Sequence, residues 1–92
     1  MFGFLNTLQT DNTEDVLGRL QRRLPHLLSD ATGDTRIDDL PLDSMDVVEL
    51  LCATEDEFQV GLTIEDYMRA RTVLDLLRVI AKRAKKAGHA LR

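Results

Sequence analysis

The sequence predicts an all-α domain, a small bundle of four helices, three long and one short, with a long loop between the first and second helices. Apolar residues recur at helical spacing in three separate stretches of the chain. Aliphatic residues dominate and only 4% of the chain is aromatic, which indicates an aliphatic core between helices. The length of 92 residues suits one hydrophobic core of this size.

The first helix is indicated by leucines and a valine spaced about 3.6 residues apart. These residues are Val16, Leu17, Leu20, Leu24 and Leu27. Asn12 or Thr13 is its expected N-cap, and Pro25 should kink or end it because proline removes a helical hydrogen bond. Residues 29–42 contain turn formers and little periodicity, so they predict a long loop. Ile37, Leu40 and Leu42 should pin this loop to the core.

The second long helix should open at Asp43 or Ser44, since both are good caps, and Gly61 is placed to end it. Its buried stripe consists of Val47, Leu50, Leu51 and Phe58. Thr63 should cap a short helix or turn. The last helix follows Thr72, and its apolar stripe consists of Val73, Leu76, Leu77, Ile80 and Ala84.

Charge is distributed unevenly within a net charge of −4. Residues 30–57 contain ten acidic residues and one basic residue, whereas residues 69–92 contain eight basic residues and one acidic residue. We expect residues 1–11 to form a flexible arm, residues 12–86 the folded domain, and residues 87–92 a basic tail. A basic run at a helix end is usually solvated and favoured by the helix dipole.

Several kinds of site and segment are absent from the sequence. Cys52 is the single cysteine, so it forms no internal disulfide, and a reducing, cytoplasmic setting is expected. His26 and His89 are isolated from each other and from other metal ligands, so we assign them no chemistry and expect no metal site. The first residues lack the basic region of a signal peptide and the continuous apolar run of a membrane span.

The informative segment surrounds Ser44, a serine at a predicted helix start among carboxylates and apolar residues. It reads Leu40-Pro41-Leu42-Asp43-Ser44-Met45-Asp46-Val47-Val48-Glu49-Leu50. For an isolated Asp-Ser pair, the simplest interpretation is that the serine only caps the helix. The longer string resembles the phosphopantetheine attachment signature of the acyl carrier protein family, in which Asp-Ser-Leu-Asp precedes Val-Glu-Leu.

The resemblance covers residues 13–84, because the acidic residues before Phe58 and the Thr72-Val73 pair also match the family's second and last helices. Two positions depart from the signature. Pro41 stands where the family usually has glycine, and Met45 replaces the leucine after the serine. The methionine conserves volume, whereas the proline stiffens the chain before Ser44.

The resemblance implies a non-catalytic carrier. A phosphopantetheinyl transferase would move 4'-phosphopantetheine from coenzyme A to Ser44, and the arm's thiol would then hold acyl groups as thioesters. Partners would be acyl-loading, ketosynthase or acyltransferase-type enzymes of fatty-acid, polyketide or other specialised biosynthesis, which carry basic docking patches. We expect a monomer that has no membrane span and no nucleic-acid partner. The candidate docking residues are Asp43, Met45, Asp46, Val48, Glu49, Cys52, Glu55 and Asp56.

The alternatives to a carrier are a helical adaptor or DNA-binding module and an enzyme. A helical adaptor or DNA-binding module would use the basic last helix, and Ser44 would be only a helix cap. An enzyme would need a nucleophile with a base or a metal cluster, and the two isolated histidines supply neither. Within the carrier hypothesis, the residues before Ser44 lack the glycine pair typical of peptidyl carriers, which favours acyl cargo.

Overall fold

A computed structural model describes the backbone of residues 3–86 and the side chains of residues 13–84. The helices are α1 (Gly3–Arg23), α2 (Pro25–Leu28), α3 (Ser44–Phe58), α4 (Ile64–Arg69) and α5 (Val73–Lys86), with a 3₁₀ turn at Ile37–Asp39. No β-strand occurs within residues 3–86, so the predicted all-α fold with three long helices is confirmed. None of the helices in this described part is long and apolar enough to cross a membrane.

Pro25 separates α1 from α2, as the sequence predicts. Leu24 has φ −128° and ψ 57°, a conformation outside the helical region. A proline disfavours the helical conformation for the residue that precedes it. Pro25 then occupies the start of α2, where its missing N–H leaves no helical hydrogen bond unmade. The helix resumes for four residues, and the sequence analysis did not predict this additional element.

The other end of α1 lies at Gly3, so the expected start at Asn12 or Thr13 is wrong. No proline precedes Pro25, and the backbone of this segment is therefore free to continue the helix. The division of the chain at residues 11 and 86 remains a prediction. The predicted basic tail, residues 87–92, lies outside the described residues.

The long loop before α3 is fixed to the core, as expected. Ile37 is 7% exposed, and Leu40 and Leu42 pack against the buried residues. The backbone N–H of Ile37 donates to the carbonyl of Arg71 at 2.8 Å, and a second bond of 2.8 Å runs back from the start of α5 to the loop. These two bonds form a short antiparallel bridge, which fixes the loop that leads to Ser44.

Gln59 ends α3, and the expected terminator Gly61 does not. Gln59 adopts the left-handed conformation, with φ 58° and ψ 42°, and its backbone N–H donates to the carbonyl of Glu55 at 2.9 Å. Its side-chain amide donates to the carbonyl of Asp56 at 2.9 Å. These bonds satisfy two carbonyls at the helix end and offset the cost of about 1–2 kcal/mol for a non-glycine residue in this conformation.

The core is aliphatic and lies between α1, α3 and α5. Val16, Leu50 and Ile80 are at most 2% exposed, and each comes from a different long helix. The hydroxyl of buried Thr54 donates to the carbonyl of Leu50 at 2.8 Å, so this polar group is satisfied. Because α3 turns one face into this core, its opposite face, which begins at Ser44, lies in solvent.

Candidate functional site

Asp43, rather than Ser44, caps α3. Its Oδ1 accepts a hydrogen bond from the backbone N–H of Asp46 at 2.8 Å. The Oδ2 of Asp46 accepts from the backbone N–H of Asp43 at 3.2 Å. This reciprocal pair is a capping box, and Ser44 is the first residue inside the helix. The sequence left both residues open as caps, and the structure assigns that role to Asp43 alone.

The hydroxyl of Ser44 is therefore not used by the fold. Ser44 is exposed, and within residues 13–84 its Oγ has no hydrogen-bond partner. The backbone N–H groups of Ser44 and Met45 likewise find no acceptor in this part of the chain, as is usual in the first turn of a helix. An exposed hydroxyl beside free N–H donors and the positive end of the helix dipole suits the attachment of a phosphate.

Pro41 shapes the approach to Ser44. The backbone N–H of Leu42 donates to the carbonyl of Leu40 at 2.8 Å, which closes a three-residue turn around the proline. The fixed φ of proline, about −65°, is close to the value that the centre of such a turn requires. Since both leucines also pack against the core, Ser44 follows a rigid segment. The departure from glycine thus has a structural role.

Four large apolar side chains are exposed on α3 and α4. Met45 is 77% exposed and Val48 is 53% exposed, and both were predicted as docking residues. On α4, Met68 is 74% exposed and Ile64 is 48% exposed. The sequence analysis missed these two, although their spacing of four residues on a short helix places them on one side of it. Met45 and Val48, three residues apart on α3, likewise lie on one side of their helix, and exposed apolar residues grouped in this way are typical of an interaction surface.

The eight predicted docking residues lie on α3 and its cap, and Asp46 alone among them is half-buried. Several of their carboxylates already have intramolecular partners. Glu49 Oε2 lies 3.2 Å from Nε2 of His26, and Asp56 Oδ2 lies 2.7 Å from a guanidinium nitrogen of Arg23. Glu55 instead accepts a hydrogen bond of 3.3 Å from the backbone N–H of Leu62. These contacts could not be predicted from the sequence pattern, because they depend on how the helices pack.

An open groove of about 370 Å³ runs along α3 between these contacts. It is lined by Arg23, Leu24, Glu49, Cys52, Ala53 and Asp56. The Cys52 thiol is free and exposed at this groove, and its role in docking stays a prediction. Among the described residues, no group of three or more potential ligands could hold a metal ion. His89 lies outside them.

Glu57, next to Asp56, joins α3 to α1 through two arginines. Burial alone would raise the pKa of Glu57, but hydrogen bonds from Arg19 at 2.9 Å and Arg23 at 3.3 Å outweigh it and lower the pKa below its usual value. The Arg19 guanidinium also lies 4.7 Å from the centre of the Phe58 ring. The end of α3 is thus held to α1 by charge as well as by packing.

Comparisons with known proteins match the same part of the chain. A family profile described as "Phosphopantetheine attachment site" covers residues 14–80. A relative from Bdellovibrio bacteriovorus, named "Acyl carrier protein", is 43% identical over 49 residues, which are 53% of this chain and 63% of the relative. A protein of the same name from Syntrophobacter fumaroxidans is 48% identical over 46 residues, 50% of this chain and 57% of the relative. The chain thus spans less than two thirds of the length of these two relatives.

Proposed function

Because this chain belongs to the acyl carrier protein family, whose domain is a phosphopantetheine attachment site, we propose that Ser44 is the residue that carries its phosphopantetheine. The observation that supports this most directly is the division of roles at the start of α3. Asp43 caps the helix, so the Ser44 hydroxyl remains exposed and without a partner within residues 13–84. A serine that served only as a cap would have its oxygen hydrogen-bonded to the helix.

The residues around Ser44 fit the group. Ser44 Oγ would provide the ester oxygen, and the free N–H groups of Ser44 and Met45 would face the phosphate. The nearby carboxylates of Asp43 and Asp46 hold the helix start in place through their capping bonds. When attached, the arm supplies a flexible thiol on which acyl groups are held as thioesters.

Acyl carrier proteins are carriers rather than catalysts, and we propose that this chain is a substrate of a phosphopantetheinyl transferase. Acyl-loading, ketosynthase or acyltransferase-type enzymes of fatty-acid, polyketide or related specialised biosynthesis would then act on the loaded arm. The exposed Met45 and Val48 beside acidic side chains support docking to enzymes with basic patches. We further propose that the protein works in the cytoplasm as a monomer.

The test is intact-mass measurement after incubation with coenzyme A, magnesium and a permissive transferase. The chain has two serines, Ser29 and Ser44, so Ser29→Ala is a matched control for Ser44→Ala. Both serines are exposed, and the two variants lose the same atoms. We expect the parent and Ser29→Ala to gain one phosphopantetheine and Ser44→Ala to gain none. Modification of Ser44→Ala, or no modification of the parent by several transferases, would overturn the proposal.

The adaptor or DNA-binding alternative would use the basic residues of α5. One of these, Arg83, is bound to Asp66 and to the carbonyl of Gly61, so its guanidinium is engaged within the domain. No contact among the described residues favours the alternative over the carrier. It would regain support if no transferase modified the parent.

A further inference from the structure

The exposed face of α3 has two edges that differ in how their charges are paired. With about 100° of rotation per residue, Glu49 and Asp56 fall on one edge, while Ser44 and Glu55 fall on the other. Met45, Val48 and Cys52 lie between the two edges and are exposed. We refer to the edge with Glu49 and Asp56 as the α1-facing edge. The edge with Ser44 and Glu55 is the α4-facing edge, since Glu55 binds the residue that precedes the cap of α4.

On the α1-facing edge, Asp56 is paired with an arginine of the same molecule. The Arg23 guanidinium lies 2.7 Å from Asp56 and 3.3 Å from Glu57. Hydrogen bonds to Asp56 and then to Glu57 raise the pKa of Arg23 above its usual value. Further along the edge, His26 lies 3.2 Å from Glu49. Each carboxylate on this edge therefore has a nitrogen partner supplied by α1 or α2.

The α4-facing edge and the helix cap have no such partner. Within residues 13–84, Asp43, Asp46 and Glu55 form no ion pair with an arginine, lysine or histidine. Among the described residues, their carboxylates accept hydrogen bonds from backbone N–H groups alone, which leave the negative charges without a cationic partner. A basic partner thus meets unpaired negative charge at the Ser44 end of α3 and at Glu55, and a carboxylate already paired with an arginine at Asp56.

We propose that Arg23 is a specificity-determining residue that competes with a partner's basic side chains for Asp56, and thereby directs docking to the Ser44 side of α3. This inference rests on the proposed carrier function, since it assigns the selection of partners to the same face. A partner whose basic residues require Asp56 must first displace Arg23, whereas one that uses Asp43 and Glu55 meets no competitor.

The expected effect is modest, because the pair is exposed. The side chains of Arg23 and Asp56 are 39% and 67% exposed, so solvent and salt weaken their attraction. Removing Arg23 should therefore raise the affinity for a basic probe by about two- to fivefold at low ionic strength, and the gain should vanish in high salt. A larger change in this affinity would require a rearrangement of α1 against α3.

The experiment compares Arg23→Gln with Arg22→Gln in titrations with a pentalysine peptide, followed by NMR. Both variants lose one positive charge, but Arg22 is exposed and forms no ion pair within residues 13–84. We expect Arg23→Gln to bind the peptide about two- to fivefold more tightly than Arg22→Gln. The largest new shifts should lie around Asp56. Arg23→Lys should behave like the parent, and adding Asp56→Asn to Arg23→Gln should remove the gain.

Equal affinities of Arg22→Gln and Arg23→Gln would overturn the inference, since only net charge would then matter. An undiminished gain in the Arg23→Gln, Asp56→Asn double variant would also overturn it. The peptide titration does not depend on Ser44, so failure of the transferase to modify the parent would remove the proposed function without affecting this result. With an active transferase, Arg23→Gln should change KM and leave kcat unaltered.

Discussion

Replacing Arg83 with methionine should loosen α4 while the rest of the bundle stays folded. Arg83, on α5, donates hydrogen bonds of 2.6 and 3.0 Å to the two carboxylate oxygens of Asp66 and one of 3.0 Å to the carbonyl of Gly61. The helix α4 contains no buried residue, although Tyr67 packs partly against the core. Burial, followed by the nearby Asp38 carboxylate, raises the pKa of Tyr67. Polar contacts therefore supply much of what holds α4.

The size of the effect follows from the geometry and the exposure of this pair. A hydrogen bond to a charged group contributes about 1.5–3 kcal/mol, whereas an exposed ion pair contributes about 0–1 kcal/mol. The Asp66 side chain is 13% exposed and that of Arg83 is 43% exposed, which places this bidentate pair between the two cases. We expect a loss of about 1–2 kcal/mol in the local stability of α4, which corresponds to about 5- to 30-fold faster opening.

Amide hydrogen exchange measured by mass spectrometry tests this directly. Peptides that cover residues 63–70 should exchange about 5- to 30-fold faster in Arg83→Met, whereas those from α1 and α3 should change little. The matched control is Arg78→Met, because Arg78 lies on an exposed position of the same helix and forms no ion pair in the described structure. Unchanged exchange of α4 in a folded Arg83→Met variant, or equal acceleration by Arg78→Met, would refute the reasoning.

Three further predictions concern the core, the cap and acid stability. Leu50→Ala should lower the free energy of unfolding, measured by urea denaturation, by about 2–5 kcal/mol, because Leu50 is 2% exposed. Val48→Ala, on the exposed face of the same helix, should change it by less than about 0.5 kcal/mol. Asp43→Ala should cost about 0.5–2 kcal/mol in the same assay and Ser44→Ala much less; the reverse order would assign the cap to Ser44. Hydrogen bonds from Arg83 and from the backbone of Thr63 hold the pKa of Asp66 well below its usual value. The ionised Asp66 therefore contributes to stability above its unfolded-state pKa of about 3.9. This contribution is lost as the pH falls towards the lower folded-state pKa. Unfolding by urea at pH values from 7 down to 2 should show this loss, and Asp66→Asn should show a smaller one; identical pH profiles would contradict the assignment.

Local sequence signals predicted most of the helices. The apolar stripes of α3 and α5 mark their buried faces, and Thr63 caps the short helix as expected, through a capping box with Asp66 that was not predicted. The end of α3 was misplaced because glycine is the usual left-handed terminator, whereas Gln59 adopts that conformation here and satisfies two carbonyls. The early start of α1 at Gly3 was missed because a good cap inside a sequence does not by itself stop a helix.

The residues of the candidate site could be proposed from the sequence, but the ion pairs that its side chains form could not. The string around Ser44 indicated the hydroxyl, and its exposure next to Asp43 agrees with that hypothesis, while its modification stays a prediction. The contacts of Arg23 with Asp56 and of Arg83 with Asp66 join residues 33 and 17 positions apart, respectively, and no periodicity encodes such contacts. They follow from helix packing, which the sequence pattern alone does not define.

The most direct test of the carrier function is to locate the modification on the chain after production together with a phosphopantetheinyl transferase. Proteolysis and tandem mass spectrometry should identify the phosphopantetheine on the peptide that contains Ser44, with the fragment ions assigning it to Ser44 itself. We expect this single site, with Ser29 and every other hydroxyl unmodified. Modification at another residue, or a chain that remains entirely unmodified alongside a carrier that the same transferase converts, would contradict it.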